Sequence, residues 1–236
     1  MREKNCIACG EKMTDLRTGR QKCKNCGHWI FPHGNKKNVY IGNKEKLKYY
    51  CELEDKGMAR QLSALRLAQL GLNHPSAIYD VGCAIGTFIQ VANEERHYAQ
   101  GGDISWEMVK EAGKRDRHVN QLNADEFISG GKFEAITMFD VIEHVKDPIK
   151  VLKNIKTHLY LGGKLLISTP NSEGVQHIKK WRHYKPGEHL HGFTAQSLDH
   201  ALRAAGFTYI LHNYLESEFR INKDQPDNIV TVLAHA

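Results

Sequence analysis

Four of the six cysteines stand in two closely spaced pairs near the N-terminus, Cys6-x-x-Cys9 and Cys23-x-x-Cys26. A turn of this kind directs two thiolates at one ion about 2.3 Å away, and two such turns complete a tetrahedral zinc site. A segment of about 35 residues buries too little apolar surface to fold alone, so the metal would supply its folding free energy. We therefore predict a small structural zinc ribbon over residues 1–35, with these four cysteines as its ligands.

Two other interpretations of the cysteine pairs are weaker. Disulfides require an oxidising compartment, but the sequence shows no N-terminal export signal, so we expect a cytoplasmic protein with reduced thiols. A redox C-x-x-C motif requires a thioredoxin-like context, which this segment lacks. His28 and His33 lie nearby but are not needed as ligands. The mean hydropathy of -0.52 leads us to expect no membrane span.

The positive charge of the chain is concentrated near its N-terminus. Residues 1–50 carry 12 Lys and Arg against 4 Asp and Glu, whereas the remainder carries 21 against 23. A basic module could meet nucleic acid, an anionic metabolite or an acidic protein. It could equally be a solvated surface that offsets the charge of bound thiolates, so the charge alone identifies no partner.

A glycine-rich turn in residues 80–86 (DVGCAIG) joins an apolar strand to a helix. Gly82 and Gly86 allow the backbone to pass close to a ligand, and the helix that follows offers free N–H groups. The turn lacks one glycine of the dinucleotide fingerprint, which disfavours a pyrophosphate ligand. About twenty residues later Asp103 ends the next strand, where a carboxylate can accept both hydroxyls of a ribose. The two features together predict an adenosine-like ligand.

Strand-like apolar runs alternate with amphipathic helical runs from residue 76 onward. This rhythm predicts an α/β fold with a Rossmann-like, doubly wound, seven-stranded sheet and helices on both faces. Two β-rich runs follow each other near the C-terminus without a helix between them, so we expect the last strand to insert antiparallel. The predicted strands cover residues 77–81, 97–103, 118–122, 134–139, 164–169, 207–215 and 228–235.

Helix boundaries follow from capping residues. Helices are expected to begin after Gly86 and at Ser105, Asp147 and Thr194. Residues 36–75 are predicted as a linker followed by a helical segment, which Gly71 closes. Residues 76–236 then form the main domain.

Five ordered motifs in residues 76–210 resemble the class I methyltransferases of the ubiquinone and sugar O-methyltransferase type. They are DVGCAIGTF, GGDIS, FDVIEHVKDP, GGKLLISTPN and EHLHGFTAQSL. The N-terminal stretch KCKNCGHWIFP is similar to zinc knuckles found ahead of this domain in members linked to sugar and polysaccharide biosynthesis. The resemblance implies an S-adenosylmethionine-dependent enzyme.

The resemblance also implies the positions of cofactor-binding residues. The backbone near Gly82, Cys83 and Gly86 would hold the methionine part of the cofactor, and Asp103 would hold its ribose. Asp80, at the start of the turn, belongs to the same predicted site.

The adenine is expected further along the same edge of the sheet. Ile104 would flank it, and either Asn123 or Asp125 would bond its amino group. Phe139 completes the predicted cofactor site. The family commonly has Gly where this chain has Ala84, which is a small departure.

Methyl transfer to a hydroxyl needs a group that accepts the hydroxyl proton. Because imidazole titrates near working pH, His144 is our first candidate for the general base and His189 the second. Glu143 is the third candidate catalytic residue. In the alternative interpretation, Glu143 and His144 only pin the loop after the strand.

A divalent metal offers another interpretation of the same residues. Asp140, Glu143 and His144, together with a distant histidine, provide oxygen and nitrogen ligands that could polarise a catechol or diol. Some relatives with an E-x-x-E-H motif at this place use a metal in that way. This chain has Asp140 instead of the first Glu, so we favour the general base.

Residues 172–187 are predicted to cover the acceptor. Trp181 and Tyr184 could stack on a sugar or an aromatic ring, and neighbouring basic side chains could hold a phosphate. The stretch could equally be an amphipathic surface helix. The basic residues concerned are Lys179, Lys180, Arg182 and Lys185.

Taken together, the sequence predicts methyl transfer to a small molecule, at a hydroxyl of a sugar or phenol-like ring, and an anionic group on it would suit the basic segment. The alternative is an RNA or DNA methyltransferase whose basic ribbon grips phosphates. Against that alternative, no N-P-P-Y-like motif for attack by a base amino group is present. The intact glycine turn and Asp103 argue against a non-catalytic scaffold. The oligomeric state does not follow from the sequence.

Overall fold

A computed structural model describes residues 5–15, 19–32, 43–126, 130–220 and 227–236. His33 and most of the predicted linker therefore lie outside the described residues. The strands are β1 (Met13–Asp15), β2 (Gln21–Cys23), β3 (Trp29–Ile30), β4 (Ala77–Val81), β5 (Tyr98–Asp103), β6 (Val119–Gln121), β7 (Phe133–Phe139), β8 (Leu159–Pro170), β9 (His191–Gly192), β10 (Thr208–Asn213) and β11 (Ile229–His235). The helices are α1 (Lys44–Asp55), α2 (Met58–Leu70), α3 (Thr87–Glu94), α4 (Trp106–Lys114), α5 (Pro148–Thr157) and α6 (Ala195–Ala204).

The large sheet has seven strands in the order β10-β11-β8-β7-β4-β5-β6. Strands β8, β7, β4, β5 and β6 run parallel to one another. Strand β11 lies antiparallel between β8 and β10. The predicted doubly wound sheet with an antiparallel last strand is confirmed.

Two hydrophobic cores cover the two faces of this sheet, because neighbouring residues of a strand point to opposite faces. Tyr79 of β4 packs into the core beneath α5 and α6. Ile78, the residue before it, packs into the core that contains Leu70 of α2 and Phe88 of α3. The sheet is therefore covered by helices on both sides, and its ligand edge remains open.

The predicted helix starts are also confirmed, and three of the four have a side chain that caps free backbone N–H groups, whereas α3 begins after Gly86 without one. The Ser105 and Asp147 side chains accept from backbone N–H groups in the first turns of α4 and α5. Thr194 forms a capping box with Ser197 at the start of α6. At the other end, Gly71 closes α2 with a φ of 55°.

The segment 172–187 does not form the amphipathic surface helix that was one of the two alternatives for it. It contains only a short 3-10 turn at Ile178–Lys180 and otherwise runs irregularly between β8 and β9. Across the described ranges, no helix is long and apolar enough to cross a membrane.

The N-terminal strands form a second, four-stranded sheet in the order β1-β2-β3-β9. Its last strand comes from the main part of the chain, since β9 pairs antiparallel with β3. No sequence pattern indicates this pairing, because β9 is only two residues long and lies more than 150 residues after β3. The small sheet thus joins the N-terminal module directly to the loop that precedes α6.

Candidate functional site

The glycine turn after β4 lies close to the segment that follows β7. Gly82 has a φ of 74°, and a Cβ at this position would lie 2.3 Å from Cγ2 of Val141. A side chain would therefore meet both backbone strain and a steric clash. The N–H groups of Gly82 and Cys83 donate to the carbonyl oxygen of Gly102 on the neighbouring strand β5. These bonds fix the turn against the strand that carries Asp103.

Asp103 is bonded to the turn and to the start of α4. One carboxylate oxygen accepts from the backbone N–H of Ala84 at 2.9 Å, and the other accepts from that of Ser105 at 2.9 Å. Burial raises the pKa of Asp103, and the two N–H donors oppose that effect. Ala84 has a φ of 48°, in the left-handed region, which glycine adopts more readily than alanine.

A cleft opens along this edge of the sheet, with a volume of about 760 Å³ when the open solvent at its mouth is included. Its walls come from the glycine turn, from the ends of β5 and β7, and from one residue of α1. The lining residues are Tyr50, Gly82, Ala84, Asp103, Ile104, Ser105, Met108, Leu122, Asn123, Ala124, Asp125, Phe139, Asp140, Val141, His144 and Val145. Six of the nine predicted cofactor-binding residues, namely Gly82, Asp103, Ile104, Asn123, Asp125 and Phe139, belong to this lining.

The other three predicted cofactor residues lie behind the cleft wall. Asp80 is buried and accepts from the hydroxyl of Thr137 at 2.7 Å. Burial raises the pKa of Asp80 to about 7. Cys83 is buried in the core beside α3, and Gly86 caps the start of that helix. These three residues therefore support the turn from behind, and any contact that they make with a ligand would involve their backbone atoms.

His144 is the predicted catalytic residue that lines the cleft. Its Nδ1 lies 2.8 Å from the carbonyl oxygen of Glu188. Because a carbonyl only accepts, Nδ1 carries the proton and the lone pair of the neutral ring is on Nε2. Burial lowers the pKa of His144, which favours this neutral form.

Glu143 and His189 lie behind His144 and meet it. The His189 ring packs edge-on against that of His144, with centroids 4.6 Å apart. His144 Nε2 lies 3.8 Å from Oε1 of Glu143. The donor atoms of all three residues lie within 4.8 Å of one another. The structure thus brings the three predicted catalytic residues into one cluster.

Two polar atoms of this cluster are buried without a partner. Oε2 of Glu143 accepts from the hydroxyl of Thr169 at 2.9 Å, but Oε1 has no hydrogen-bond partner within the described part of the chain. The same holds for Nδ1 of His189. Burial raises the pKa of Glu143 to about 8, and burial lowers that of His189 to about 3. Unpartnered buried polar atoms are rare and indicate a ligand, an ion or a water.

Asp140 does not join this cluster, which corrects the predicted metal-ligand set. Its carboxylate binds the guanidinium of Arg220 through two bonds, at 2.7 and 2.5 Å. Arg66 and Glu216 extend the ion-pair network. The charge of Asp140 is therefore already compensated, and the converging donor set is Glu143, His144 and His189.

Residues 172–187 contact the N-terminal module instead of presenting open rings to an acceptor. Trp181 is buried in a cluster with Phe31, and the Tyr184 ring meets Phe31 edge-on at 5.2 Å. The basic side chains Lys179, Lys180, Arg182 and Lys185 are exposed. The prediction of a stacking and phosphate-holding lid is therefore wrong for Trp181, whose ring is covered by the ribbon.

The four predicted zinc ligands converge within the N-terminal module. Sγ of Cys6 lies 3.6 Å from that of Cys26, and Sγ of Cys9 lies 3.5 Å from that of Cys23. A tetrahedron with bonds of about 2.3 Å has edges of roughly 3.8 Å, so the separations fit one central ion. Four thiols in this arrangement fit the cysteine cluster of a zinc ribbon.

Sequence reasoning missed several side chains near the cleft. Tyr50 reaches the lining from α1, and His183 lies buried beside His189, with ring centroids 6.5 Å apart. Arg220 comes from beyond β10 to bind Asp140. Each belongs to a segment without a recognisable motif, so no local signal in the sequence could identify it.

Comparison with known proteins shows that the chain is similar to methyltransferases. The family model described as a methyltransferase domain matches residues 55–212. A ubiquinone biosynthesis O-methyltransferase from Coxiella burnetii (strain Dugway 5J108-111) is 25% identical over 229 residues, covering 88% of this chain and 90% of the relative. The match therefore extends well beyond the glycine turn and Asp103 and covers most of the chain.

Solved structures give the same fold. An S-adenosylmethionine-dependent methyltransferase from Mesorhizobium loti superposes with a TM-score of 0.62 at 17% identity, covering 73% of this chain and 96% of that chain. A phosphoethanolamine N-methyltransferase from Haemonchus contortus, in complex with S-adenosyl-L-methionine, gives a TM-score of 0.63 at 17% identity. That match covers 74% of this chain and 52% of the other.

Proposed function

The chain belongs to the methyltransferase-domain family and is an S-adenosylmethionine-dependent methyltransferase, and from this premise we propose that it methylates a hydroxyl of a small molecule. The observation that carries the proposal is the neutral imidazole of His144 at the cleft wall, with its protonated nitrogen bonded to the carbonyl of Glu188. The name of the Coxiella relative, an O-methyltransferase of ubiquinone biosynthesis, supports a phenol-like acceptor over a sugar.

The proposed cofactor site uses the wall formed by the glycine turn and β5. The backbone at Gly82, Cys83 and Gly86 would hold the methionine part, and Asp103 would accept from the ribose hydroxyls. Both oxygens of Asp103 are already oriented by backbone donors, which leaves further lone pairs for the ribose.

The adenine would lie beyond the ribose. Ile104 and Phe139 would flank this part of the site, and Asn123 or Asp125 would bond the amino group. Asp125 accepts from the backbone N–H of Lys146, and Asn123 accepts from that of Asp125. Both side chains are therefore fixed in place at the cleft wall.

The transfer step needs alignment and a proton acceptor. When bound, S-adenosylmethionine supplies an electrophilic methyl group on a sulfonium. His144 Nε2 would take the proton of the acceptor hydroxyl whose oxygen receives the methyl group, and the cofactor would leave as S-adenosylhomocysteine. The Glu188 carbonyl, which holds Nδ1–H, stabilises the imidazolium that results.

A divalent ion is a second candidate for the same step, and the unpartnered atoms of the cluster favour it. Glu143 Oε1 and His189 Nδ1 are buried without partners among the described residues, and an ion held by Glu143, His144 and His189 would satisfy both. Such an ion would polarise the acceptor hydroxyl and lower its pKa.

Metal content and three substitutions separate the two mechanisms. If His144 acts as the base without an ion, the protein contains one metal per chain, the zinc proposed for the cysteine cluster. His144→Ala then lowers turnover by ~100-fold. Glu143→Ala and His189→Ala then lower it less than His144→Ala does, because these side chains support the His144 ring without taking the proton. With a bound ion, the protein contains a second metal equivalent, and all three substitutions lower turnover to a similar extent and remove that equivalent.

We also propose that the cysteine cluster binds structural zinc in a ribbon of residues 1–35. The sulfur separations and the small apolar core around the cysteines support a closed, non-catalytic site. Zinc measured in the purified protein, lost on replacing a single ligand, tests this assignment.

One experiment tests the acceptor class. The purified protein is incubated with methyl-labelled cofactor and, separately, catechol, methyl glucoside or total RNA, and the products are analysed by mass spectrometry. The proposal predicts a methyl ether of a small hydroxyl compound, with catechol preferred to the glucoside. Label that enters only the nuclease-sensitive polymer would contradict it and support the nucleic-acid alternative.

A further inference from the structure

The short strand β9 connects the ribbon to the acceptor side of the cleft. Trp29 pairs with Gly192 and Ile30 pairs with His191, so β9 completes the sheet of the ribbon. The pairing continues at Phe31, whose backbone N–H donates to the carbonyl oxygen of Leu190 at 2.9 Å. The ribbon therefore holds the residues that directly follow His189.

The same segment is bonded on its other side to the catalytic cluster. The backbone carbonyl oxygen of Glu143 accepts from the N–H groups of Leu190, at 2.8 Å, and His191, at 3.1 Å. Residues 190 and 191 thus lie between β3 of the ribbon and Glu143. A shift of the ribbon would move the two chain segments that carry Glu143 and His189 relative to each other.

The packing between ribbon and segment is close. A Cβ on Gly192 would lie 2.9 Å from Cζ of Phe31 and 3.2 Å from Cβ of Trp29. His28 is fully buried and its ring stacks on that of His191, with Nε2 of His28 3.2 Å from Nδ1 of His191. Such an interface fixes one relative position of its two parts.

A second contact ties the ribbon to α6. The Thr194 hydroxyl donates to the carbonyl oxygen of Cys26, a proposed zinc ligand, at 2.7 Å. Thr194 is also the N-cap residue of α6. The knuckle that would bind the metal is thus bonded directly to the element that follows β9.

We propose that the ribbon is a positioning element of the active site, which holds His189 and Glu143 in register through β9. The inference rests on the proposed function, because both residues contact the ring of His144, the proposed base. It gives the ribbon a role within the chain that requires no nucleic-acid or protein partner. The positioning residues are Phe31 and Gly192, which touch neither cofactor nor acceptor but set the place of residues 189–191.

The expected effect is on turnover, since a shift of about 1 Å in a catalytic group can lower rate by ~100-fold. The cofactor wall is formed by the glycine turn and β5, which belong to the large sheet and not to the sheet that contains β9, so cofactor affinity should not change. A purely structural role of the ribbon would instead lower stability and affect both properties together.

The test substitution is Gly192→Ala in the full chain, because the added methyl group must displace Phe31 or the strand itself. Gly113→Ala is the matched control, since a Cβ at Gly113 has no neighbour within 4 Å. Phe31→Leu is the second variant, which removes the ring from Gly192 by truncation instead of crowding. Zinc content, S-adenosylhomocysteine affinity and amide hydrogen exchange are measured for each variant, together with kcat and KM for catechol.

The proposal predicts faster exchange of the Leu190 and His191 amides and a fall in kcat of about tenfold or more for Gly192→Ala and Phe31→Leu. Zinc content, KM and S-adenosylhomocysteine affinity should stay within about twofold of the Gly113→Ala values. Unchanged exchange, an unchanged kcat despite faster exchange, or an equal loss of cofactor affinity would each overturn it. The exchange measurement needs no acceptor, so it remains decisive for the docking even if catechol is not methylated and the proposed function fails.

Discussion

The two walls of the cleft are built in different ways. The cofactor wall consists mainly of backbone from one strand, one turn and the neighbouring strand, with Asp103 bonded to two N–H groups of the same wall. The acceptor wall consists of side chains from distant parts of the chain, including Tyr50, His144 and the cluster around Glu143. Behind this wall, β9 pairs with β3 of the ribbon.

This difference indicates a division of labour between binding and transfer. A wall of backbone keeps its shape when surrounding side chains change, and it can hold one cofactor for many acceptors. A wall of side chains can be rebuilt for each acceptor, but every residue in it needs its own support. Substitutions in the two walls should therefore have separable effects on cofactor affinity and on turnover.

The largest expected effect is the loss of the ribbon fold after Cys26→Ser. Structural zinc in small domains contributes roughly 10 kcal/mol or more of binding free energy, and a missing ligand removes most of it. We expect loss of zinc and rapid exchange of the amides in residues 19–32, with S-adenosylhomocysteine affinity changed by less than about threefold. Metal analysis, hydrogen exchange and calorimetry check this.

The control for that substitution is Cys51→Ser, because Cys51 lies outside the cluster. It should leave zinc content unchanged. If Cys26→Ser also abolished cofactor binding, the two walls would not be separable.

The next effect in size is on the cofactor wall itself. Asp103→Ala removes the carboxylate that is proposed to accept hydrogen bonds from the two ribose hydroxyls. It also removes the acceptor for the N–H groups of Ala84 and Ser105, which hold the turn and the start of α4. Bonds to charged groups contribute about 1.5 to 3 kcal/mol each, so we expect a dissociation constant for S-adenosylhomocysteine higher by ~1000-fold. Calorimetric titration measures it. The exposed Asp116, replaced by Ala, serves as the control, and a tenfold change or less for Asp103→Ala would show that this carboxylate does not hold the ligand.

A pH-dependent effect on stability tests the support of the same wall. The pKa of Asp80 is about 7 in the folded protein because of burial, against about 3.9 in an unfolded chain. The folded protein therefore keeps a proton that the unfolded chain releases, so this contribution is fully present below about pH 4 and is lost as pH rises to 7.

The free energy of unfolding should fall by about 4 kcal/mol through this group between those limits, at 1.36 kcal/mol per pKa unit. Asp80→Asn removes the titration and should flatten that part of the profile. Urea unfolding of the ligand-free protein at about pH 5 and pH 8 should show roughly 3 kcal/mol of this fall, because part of the contribution is already lost at pH 5. Parallel profiles for the wild type and Asp80→Asn would show that Asp80 titrates normally.

The sequence predicted the local geometry of the glycine turn and Asp103 far better than the contacts on the opposite side of the cleft, for a physical reason. Gly82 and Asp103 act through local backbone geometry, which leaves a short motif. The capped starts of α4, α5 and α6 and the antiparallel β11 also follow from neighbouring residues. By contrast, the pairing of Asp140 with Arg220 joins residues 80 positions apart, and no periodicity records it.

The ribbon illustrates the same limit. Its cysteine spacing predicted the cluster, but its attachment to β9 depends on shape complementarity between Phe31 and Gly192. Trp181 was predicted to contact the acceptor because an aromatic residue beside basic ones is typical of a ligand-binding loop. The ring is buried against the ribbon instead, a contact that becomes evident only when both surfaces are known.

The most direct test of the division between the two walls is to measure two properties of His144→Ala together. These are the dissociation constant of S-adenosylhomocysteine and the rate of methyl transfer to catechol in a single turnover. The account predicts a rate lower by ~100-fold with a dissociation constant within about twofold of the wild-type value. A rate reduced by less than tenfold, or an affinity lost in proportion to the rate, would contradict it.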